Sequence, residues 1–402
     1  MSPWLSVIGI GDDGLSGLTP AARALVDTAE VIVGGARHLA MPPPGAAEHL
    51  PWRQPFANSI AAIAARRGRR VVVLASGDPM WYGAGAILAR HFPREEMTII
   101  PHPGAFSFAA ARLGWALADC LTLSLHARPL DTLRLHLAEG RRLLILSEDG
   151  MTPLAVARLL SEAGWGPSRL VALEHLDGTA EAAHGATAAE WGERRVADLN
   201  MIALECHAAP GTRGRSRLAG LPDDAFEHDG QLTKREIRAA TLAALAPLPG
   251  ETLWDVGAGC GSIAIEWLRA DDQLSAIAVE RDAARVAIIA RNAAALGVPR
   301  LAIVHGSAPD VLAGLGAPDV IFVGGGLADP ALLPSLWAAL RPGGRLVANV
   351  ISTEGERALL DWQARHGGNL TRLAISRAEP LGAHLGWQAL APVTQLVVAK
   401  PG

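Results

Sequence analysis

Thr252-Leu253-Trp254-Asp255-Val256-Gly257-Ala258-Gly259-Cys260-Gly261-Ser262 reads as a buried strand, a tight turn of small residues and the start of a helix that continues to Leu268. The glycines allow a turn that a Cβ would block, and the helix start presents N–H groups with no intrahelical partner. In a dinucleotide site those amides would hold a pyrophosphate. S-adenosylmethionine carries no phosphate, so the same loop would take its amino-acid and ribose portions by close backbone approach. Gly257, Gly259 and Gly261 alone do not separate nucleotide, flavin and adenosylmethionine sites. Two acids add context. Asp255 precedes the first glycine, where its carboxylate would act on the methionine end, and Glu280 closes the next strand, in reach of ribose hydroxyls.

A second loop of this kind, Ala75-Ser76-Gly77-Asp78-Pro79, follows the apolar run Val71-Val72-Val73-Leu74. Two strand-and-loop units imply two cofactor sites on one polypeptide. A length of 402 residues suits two or three domains. Lys plus Arg number 36 against 40 Asp plus Glu, a formal charge of -4, so the cationic field of a nonspecific nucleic-acid binder is missing. Cys120, Cys206 and Cys260 are too scattered for a disulfide framework or a zinc knuckle, and a reducing cytoplasmic setting is expected. The N-terminal apolar run soon meets acids and reads as a strand and loop, with no signal peptide implied. No apolar run is long enough to suggest a membrane span.

Up to about residue 208, apolar runs such as Leu5-Ser6-Val7-Ile8, Val31-Ile32-Val33, Met97-Thr98-Ile99-Ile100 and Leu143-Leu144-Ile145-Leu146 alternate with segments of helical spacing, among them Pro20 to Ala29 and Leu130 to Glu139. Largely parallel sheets, covered on both faces, are the implied class of α/β fold. Pro101-His102-Pro103-Gly104 divides this part into lobes of about residues 1–102 and 103–208. Residues 209–222, rich in Gly, Pro and Arg, read as a linker or as a basic lip over a site. From 223 to 402 the order of strands and helices resembles the seven-stranded, Rossmann-like fold of class I methyltransferases.

Further candidates cluster in the C-terminal half. Phe226-Glu227-His228-Asp229-Gly230-Gln231-Leu232-Thr233-Lys234-Arg235-Glu236 precedes and opens a helix from Lys234 to Leu245, with Thr233 as its cap. Cations at a helix start run against the dipole, so an anionic substrate is one reason for Lys234 and Arg235. Arg281, Arg377 and His384 would complete an anion-binding rim. Ser307 and Ala308 would lie beside the adenine, and Gly324, Gly325 and Gly326 would leave room for the sulfonium and a large substrate.

Nearly the whole chain resembles the fused precorrin-6Y C(5,15)-methyltransferase (decarboxylating) family of cobalamin biosynthesis. The residues that carry the resemblance are Val7-Ile8-Gly9-Ile10-Gly11, Val33-Gly34-Gly35-Ala36-Arg37-His38-Leu39, Leu74-Ala75-Ser76-Gly77-Asp78-Pro79, Pro101-His102-Pro103-Gly104 and Leu123-Ser124-Leu125-His126 for a two-lobed tetrapyrrole methylase. For a class I methyltransferase they are the stretch from Phe226 to Glu236 and that from Asp255 to Ser262. The resemblance implies S-adenosyl-L-methionine at two sites and no metal. It places Gly77, Asp78, Pro79, Ser107, Phe108 and Leu125 at the first donor, with Gly9 and Gly11 near the substrate trough. At the second donor it places Gln231, Thr233, Asp255, Gly257, Gly259, Gly261, Ser262, Glu280, Arg281, Ser307 and Ala308. His228, Glu236 and Lys234 would be catalytic, and Arg238, Gly324, Gly325, Gly326, Arg377 and His384 would meet substrate. It also implies methylation of precorrin-6B at C5 by the first half, and C15 methylation with loss of the ring C acetate carboxyl by the second, giving precorrin-8X. The partner is this small molecule, with no nucleic acid or membrane, and a homo-oligomer is expected by analogy. Two rivals stay open on the residues alone: a bifunctional methyltransferase of another anionic macrocycle, and a NAD-dependent oxidoreductase, which leaves Gly77-Asp78-Pro79 unexplained.

Overall fold

The computed structural model describes residues 3–42, 45 and 47–402. They form two compact units, one of Met1–Leu130 with Ala138–Arg213 and the other of Gly214–Gly402 with Asp131–Leu137.

The first unit holds two sheets of five strands each. In the first sheet the order is Glu48–Pro51, Val31–Gly34, Val71–Ser76, Leu5–Ile10, Met97–Ile100, and every pair is parallel. Successive side chains on a strand point to opposite faces, and both sets are apolar here. Leu5, Val7, Val71 and Val73 pack with Ile63 and Leu88 on one face, while Ile8, Ile10, Val72 and Leu74 pack with Ala22 and Val26 on the other. That double burial explains the continuous apolar runs. Helix Pro20–Asp27 starts where Thr19 Oγ1 accepts from the Ala22 amide at 3.3 Å, with proline in its first turn.

The second sheet departs from the expectation of largely parallel pairing. Its order is Cys120–Ser124, Arg142–Leu146, Asn200–Glu205, Arg169–Glu174, Ala182–Thr187, and only the first pair is parallel. The short connection between Glu174 and Ala182 suits a hairpin, whereas a parallel neighbour would need a long crossover. The helix expected from Leu130 to Glu139 is a 3-10 segment, Leu130–His136, in which Leu133 and Leu135 are both buried. Residues two apart do not share an α-helical face. Pro101 to Gly104 connects the two sheets, leading from Met97–Ile100 into helix Ala105–Leu113.

In the second unit the strand order is Ala302–His305, Ser275–Glu280, Thr252–Val256, Val320–Val323, Arg345–Val350, Val393–Ala399, Asn369–Leu373. The first five run parallel and Val393–Ala399 pairs antiparallel with both its neighbours. Helices Arg235–Leu245, Ser262–Ala270 and Ala283–Ala295 cover one face, and Leu332–Ala339 with Thr353–His366 cover the other. Leu253 and Trp254 illustrate the alternation, each in the core of a different face. The order reverses between Thr252–Val256 and Val320–Val323. A crevice opens at the carboxyl ends of strands at such a switch point, and it is there that the two glycine loops emerge. An exposed hairpin, Ser376–Leu381 with His384–Ala389, forms a separate two-stranded sheet, and its register puts Ala378, Pro380, Leu385 and Trp387 on one face, with Leu385 and Trp387 exposed. Among the described residues no helix is long and apolar enough to cross a membrane.

Candidate functional sites

At the switch point Gly257, Gly259 and Gly261 all have left-handed backbones, with φ of 72, 60 and 80°. Only glycine adopts that conformation without strain. A Cβ on Gly261 would also lie 2.9 Å from Ile289 Cγ2, whereas nothing stands within 4 Å of one on Gly259 or Gly325. Open space therefore borders the loop on the side where the Gly324-Gly325-Gly326 turn approaches it, which fits a ligand laid against bare backbone.

The two acids expected at this site are both buried and both serve the loop. Asp255 Oδ2 accepts from the Ala264 amide at 3.0 Å, tying the strand end to the first turn of the helix. Its Oδ1 is buried without a hydrogen-bond partner among the described residues, and burial pushes the carboxyl up to about 7. Glu280 accepts from Gly259 N at 2.8 Å and from Asp282 N at 3.0 Å, so its carboxylate braces the turn, each oxygen keeping a second lone pair. Ser262 begins the helix and is buried, as is Cys260, whose thiol is pushed up by burial. Arg281 and Ser307 are exposed and Ala308 is half-buried, all on the loops that follow the neighbouring strands.

Upstream, the helix starts at Arg235 with Lys234 in the cap position, and no side chain caps it. Thr233 therefore does not play the capping role expected of it. Its carbonyl instead accepts from Arg238 Nη1 at 2.5 Å. Arg238 is the clearest correction to the expected substrate rim: it is fully buried, donates to Glu266 at 2.7 Å and Asp223 at 3.2 Å, and also donates to the Leu221 carbonyl. An arginine so enclosed has nothing left to offer a substrate. Arg377 donates to Asp223 at 2.9 Å and to Glu236 at 2.6 Å, so a substrate carboxylate would have to compete with two internal ones. The Arg377 guanidinium in turn holds Glu236 below the usual carboxylate range, the wrong form for a proton donor at neutral pH. His228 is exposed, and its Nδ1 accepts from the Gly230 amide at 3.1 Å, which leaves Nε2 as the protonated nitrogen of the neutral ring. Gln231 and His384 are exposed, the latter on the hairpin beside Leu381.

Two residues outside the expected set hold this site together. Asn292, buried on helix Ala283–Ala295, bonds both the amide and the carbonyl of Glu227 at 2.8 and 2.9 Å and the Cys260 carbonyl at 3.0 Å, fastening the His228 segment to the glycine turn. Glu266 accepts from the amides of Gly220 and Leu221 at 2.6 and 2.9 Å in addition to Arg238. A lone polar residue on an otherwise apolar helical stripe was the available signal for each. The Gly-Arg stretch before Leu221 does not form a free basic lip throughout, since Arg217 donates to the Arg269 carbonyl at 2.8 Å and to Asp272 at 3.0 Å.

The first unit has a cleft of about 1090 Å³ lined from both sheets. Small-molecule sites typically occupy roughly 300–1,000 Å³, so there is room here for more than one ordinary ligand. Gly11, Gly77, Asp78, Ser107 and Phe108 line it. Gly9, Pro79 and Leu125 do not belong to its lining. A Cβ on Gly9 would lie 2.1 Å from the Gly77 carbonyl oxygen, so this glycine makes way for the chain's own backbone. Leu125 is buried. Asp78 Oδ1 accepts from the Met80 amide at 2.8 Å, shaping the loop. Pro101 to Gly104 also enter the lining, along with Asp12, Arg37, His38, His175, Trp81 and Tyr82.

Fold and loops together define a protein with two methyltransferase architectures in series. Residues 5–183 match the family of tetrapyrrole (corrin/porphyrin) methylases and residues 224–400 the family described as a precorrin methyltransferase domain. A precorrin-6Y C(5,15)-methyltransferase (decarboxylating) from Sinorhizobium sp is 48% identical over 98% of this chain and 96% of its own length. Two shorter relatives each cover 43% of this chain: a cobalt-precorrin-7 C(5)-methyltransferase of Salmonella typhimurium, 36% identical over 85% of its length, and a probable cobalt-precorrin-6B C(15)-methyltransferase (decarboxylating) of Pyrobaculum calidifontis, 34% identical over 92%. The chain belongs to the precorrin-6Y C(5,15)-methyltransferase (decarboxylating) family, and it is an S-adenosylmethionine-dependent enzyme. That membership sets aside the oxidoreductase reading of the C-terminal glycine loop.

Proposed function

We propose that this enzyme methylates precorrin-6B at C5 in the first unit and at C15 in the second, where it also removes the ring C acetate carboxyl, to give precorrin-8X. The observation that carries the reading is the match of nearly the full chain to a relative of the double activity, with each single activity found in relatives that cover less than half of it. Bound S-adenosylmethionine supplies an electrophilic methyl group, one molecule in each unit. Meso carbons of the reduced macrocycle are themselves nucleophilic, so no serine or cysteine need be activated. The protein's part is to align carbon, methyl and sulfur and to exclude water.

In the second unit Gly257, Gly259 and Gly261 give the donor bare backbone, Glu280 braces that turn, and the three glycines from Gly324 keep space for the ring. Loss of carbon dioxide delivers an electron pair to the conjugated macrocycle. His228 would protonate the product as its imidazolium, giving up the Nε2 proton once Nδ1 has released the Gly230 amide and taken a proton from solvent, while Glu236 and Arg377 form a pair at the helix start. No metal is required by this chemistry. We expect the protein to act in the cytoplasm as a homo-oligomer. Supplying precorrin-6B and labelled donor to the whole chain should yield two transferred methyl groups and one carbon dioxide per ring. Calorimetry with S-adenosylhomocysteine should find two sites per chain. A single site, or carbon dioxide release that survives destruction of the C-terminal glycine turn, would overturn the assignment.

A further inference from the structure

The cleft of the first unit contains a polar cluster built from three segments of the chain. Asp12, on the loop after Leu5–Ile10, accepts from Arg37 Nη1 at 2.6 Å through Oδ1 and meets His175 Nδ1 at 2.9 Å through Oδ2. Three separate segments thus converge, and all three residues line the cleft. Gly178 makes the approach possible, since a Cβ there would stand 2.4 Å from Asp12 Oδ2. His175 and Asp177 hold left-handed backbones, with φ of 46 and 65°, which side chains other than glycine's rarely adopt. Strain of this kind gathers where a side chain must be aimed.

A carboxylate can only accept, so Nδ1 of His175 is the protonated nitrogen and Nε2 carries the lone pair. Arg37 compensates the charge of Asp12 and is itself braced by Ser76 Oγ at 3.1 Å. The other cleft histidines are differently placed. His38 is buried, with its Nε2 between Arg37 and Ser76. His102 Nδ1 turns to its neighbour's carbonyl at 3.0 Å. His126 does face a carboxylate, Glu148 at 3.3 Å, but those side chains are 68 and 50% exposed, against 32 and 17% for His175 and Asp12.

We propose that His175, oriented by Asp12, is the general base of the carbon methylation performed in this cleft. The inference rests on the assignment of C5 to the first unit. As the ring carbon's π pair forms the new bond to methyl, the methyl–sulfur bond breaks and its pair stays on sulfur, which becomes a neutral thioether. The ring is then cationic with both hydrogen and methyl on C5. The C5–H pair returns to the conjugated system and the proton passes to His175 Nε2, then to water. Asp12 stabilises the imidazolium that results, and Arg37 keeps Asp12 from taking the proton itself. Asp12 is by this account the positioning residue and His175 the catalytic one.

The test uses the whole chain, the precorrin substrate and donor labelled in its methyl group. General bases contribute about 100- to 10,000-fold, so His175→Gln should slow C5 methylation at least about 100-fold while C15 methylation and carbon dioxide release continue at the unaltered rate. Substrate deuterated at C5 should show a primary isotope effect in the variant larger than in the parent. Free imidazole should restore part of the activity of His175→Gly. Asp12→Asn should slow C5 methylation at least about tenfold by upsetting the tautomer, and it decides the matter should the histidine variants fail to fold, with two S-adenosylhomocysteine sites still found by calorimetry reporting an intact first unit. C5 methylation within threefold of the parent in His175→Gln, or a loss that neither imidazole nor deuterium affects, would overturn the proposal. A loss that fell on C15 instead would overturn the assignment of carbons to units and leave the base in place.

Discussion

Replacing Arg238 by methionine separates service to the fold from service to the substrate. The guanidinium is fully buried and bridges Glu266, Asp223 and the carbonyls of Thr233 and Leu221. Methionine matches its length yet leaves Glu266, whose side chain is 2% exposed, with a negative charge answered only by the Gly220 and Leu221 amides. Breaking one side of a buried ion pair costs about 3–5 kcal/mol. In a domain of this size each kcal/mol moves the midpoint by roughly 2–4 °C, so a fall of roughly 6–20 °C is expected. Scanning calorimetry of the whole chain should locate that fall in the transition of the second unit. Arg238→Met combined with Glu266→Gln should recover most of it, because the orphaned charge is then gone. A midpoint within about 2 °C of the parent, together with weaker binding of the precorrin, would mean that Arg238 serves the substrate and that its enclosure has been misread.

Gly259→Arg should abolish C15 methylation and carbon dioxide release while C5 methylation persists, since the side chain would enter the open space beside the turn and the φ of 60° would strain it; retained double methylation would refute the donor site. Asp255 gives a pH signature in the absence of donor. Its pKa is raised by burial from 3.8 to about 7, so the folded chain binds the extra proton and loses stability as pH rises between those values, with no further loss above about 7. Asp255→Asn escapes that loss, and its thermal midpoint relative to the parent should climb from about pH 5 to 7 and then level; a constant difference would refute the raised pKa. Glu280→Gln should weaken S-adenosylhomocysteine at the C-terminal site about tenfold or more by loosening a charge-assisted bond to the Gly259 amide, read by calorimetry. For proton delivery, His228→Gln should slow product formation at the second unit by at least about tenfold, whereas Glu236→Gln should stay within threefold, and the reverse ranking would return the role to Glu236.

Local sequence was enough for the elements whose side chains all answer to one rule. The runs Leu5-Val7-Ile8 and Val71 to Leu74 are apolar on both faces because each face meets its own helices, and the glycine turns declare themselves because only glycine tolerates their backbone. Both methyltransferase halves, the seven-stranded order of the second and the glycine loops were legible for that reason. Pairing partners were not. Whether Arg169–Glu174 runs parallel or antiparallel to its neighbours depends on which strand arrives beside it, and here that is Asn200–Glu205, from further along the chain. Charged residues were the least readable of all: Arg238 and Arg377 looked like ligands for a polyanionic ring, but packing turned each toward internal partners, since a buried charge must find its counter-charge or hydrogen bonds within the protein. For the same reason Asp12 gained its partner only in the fold, which brings His175 to it.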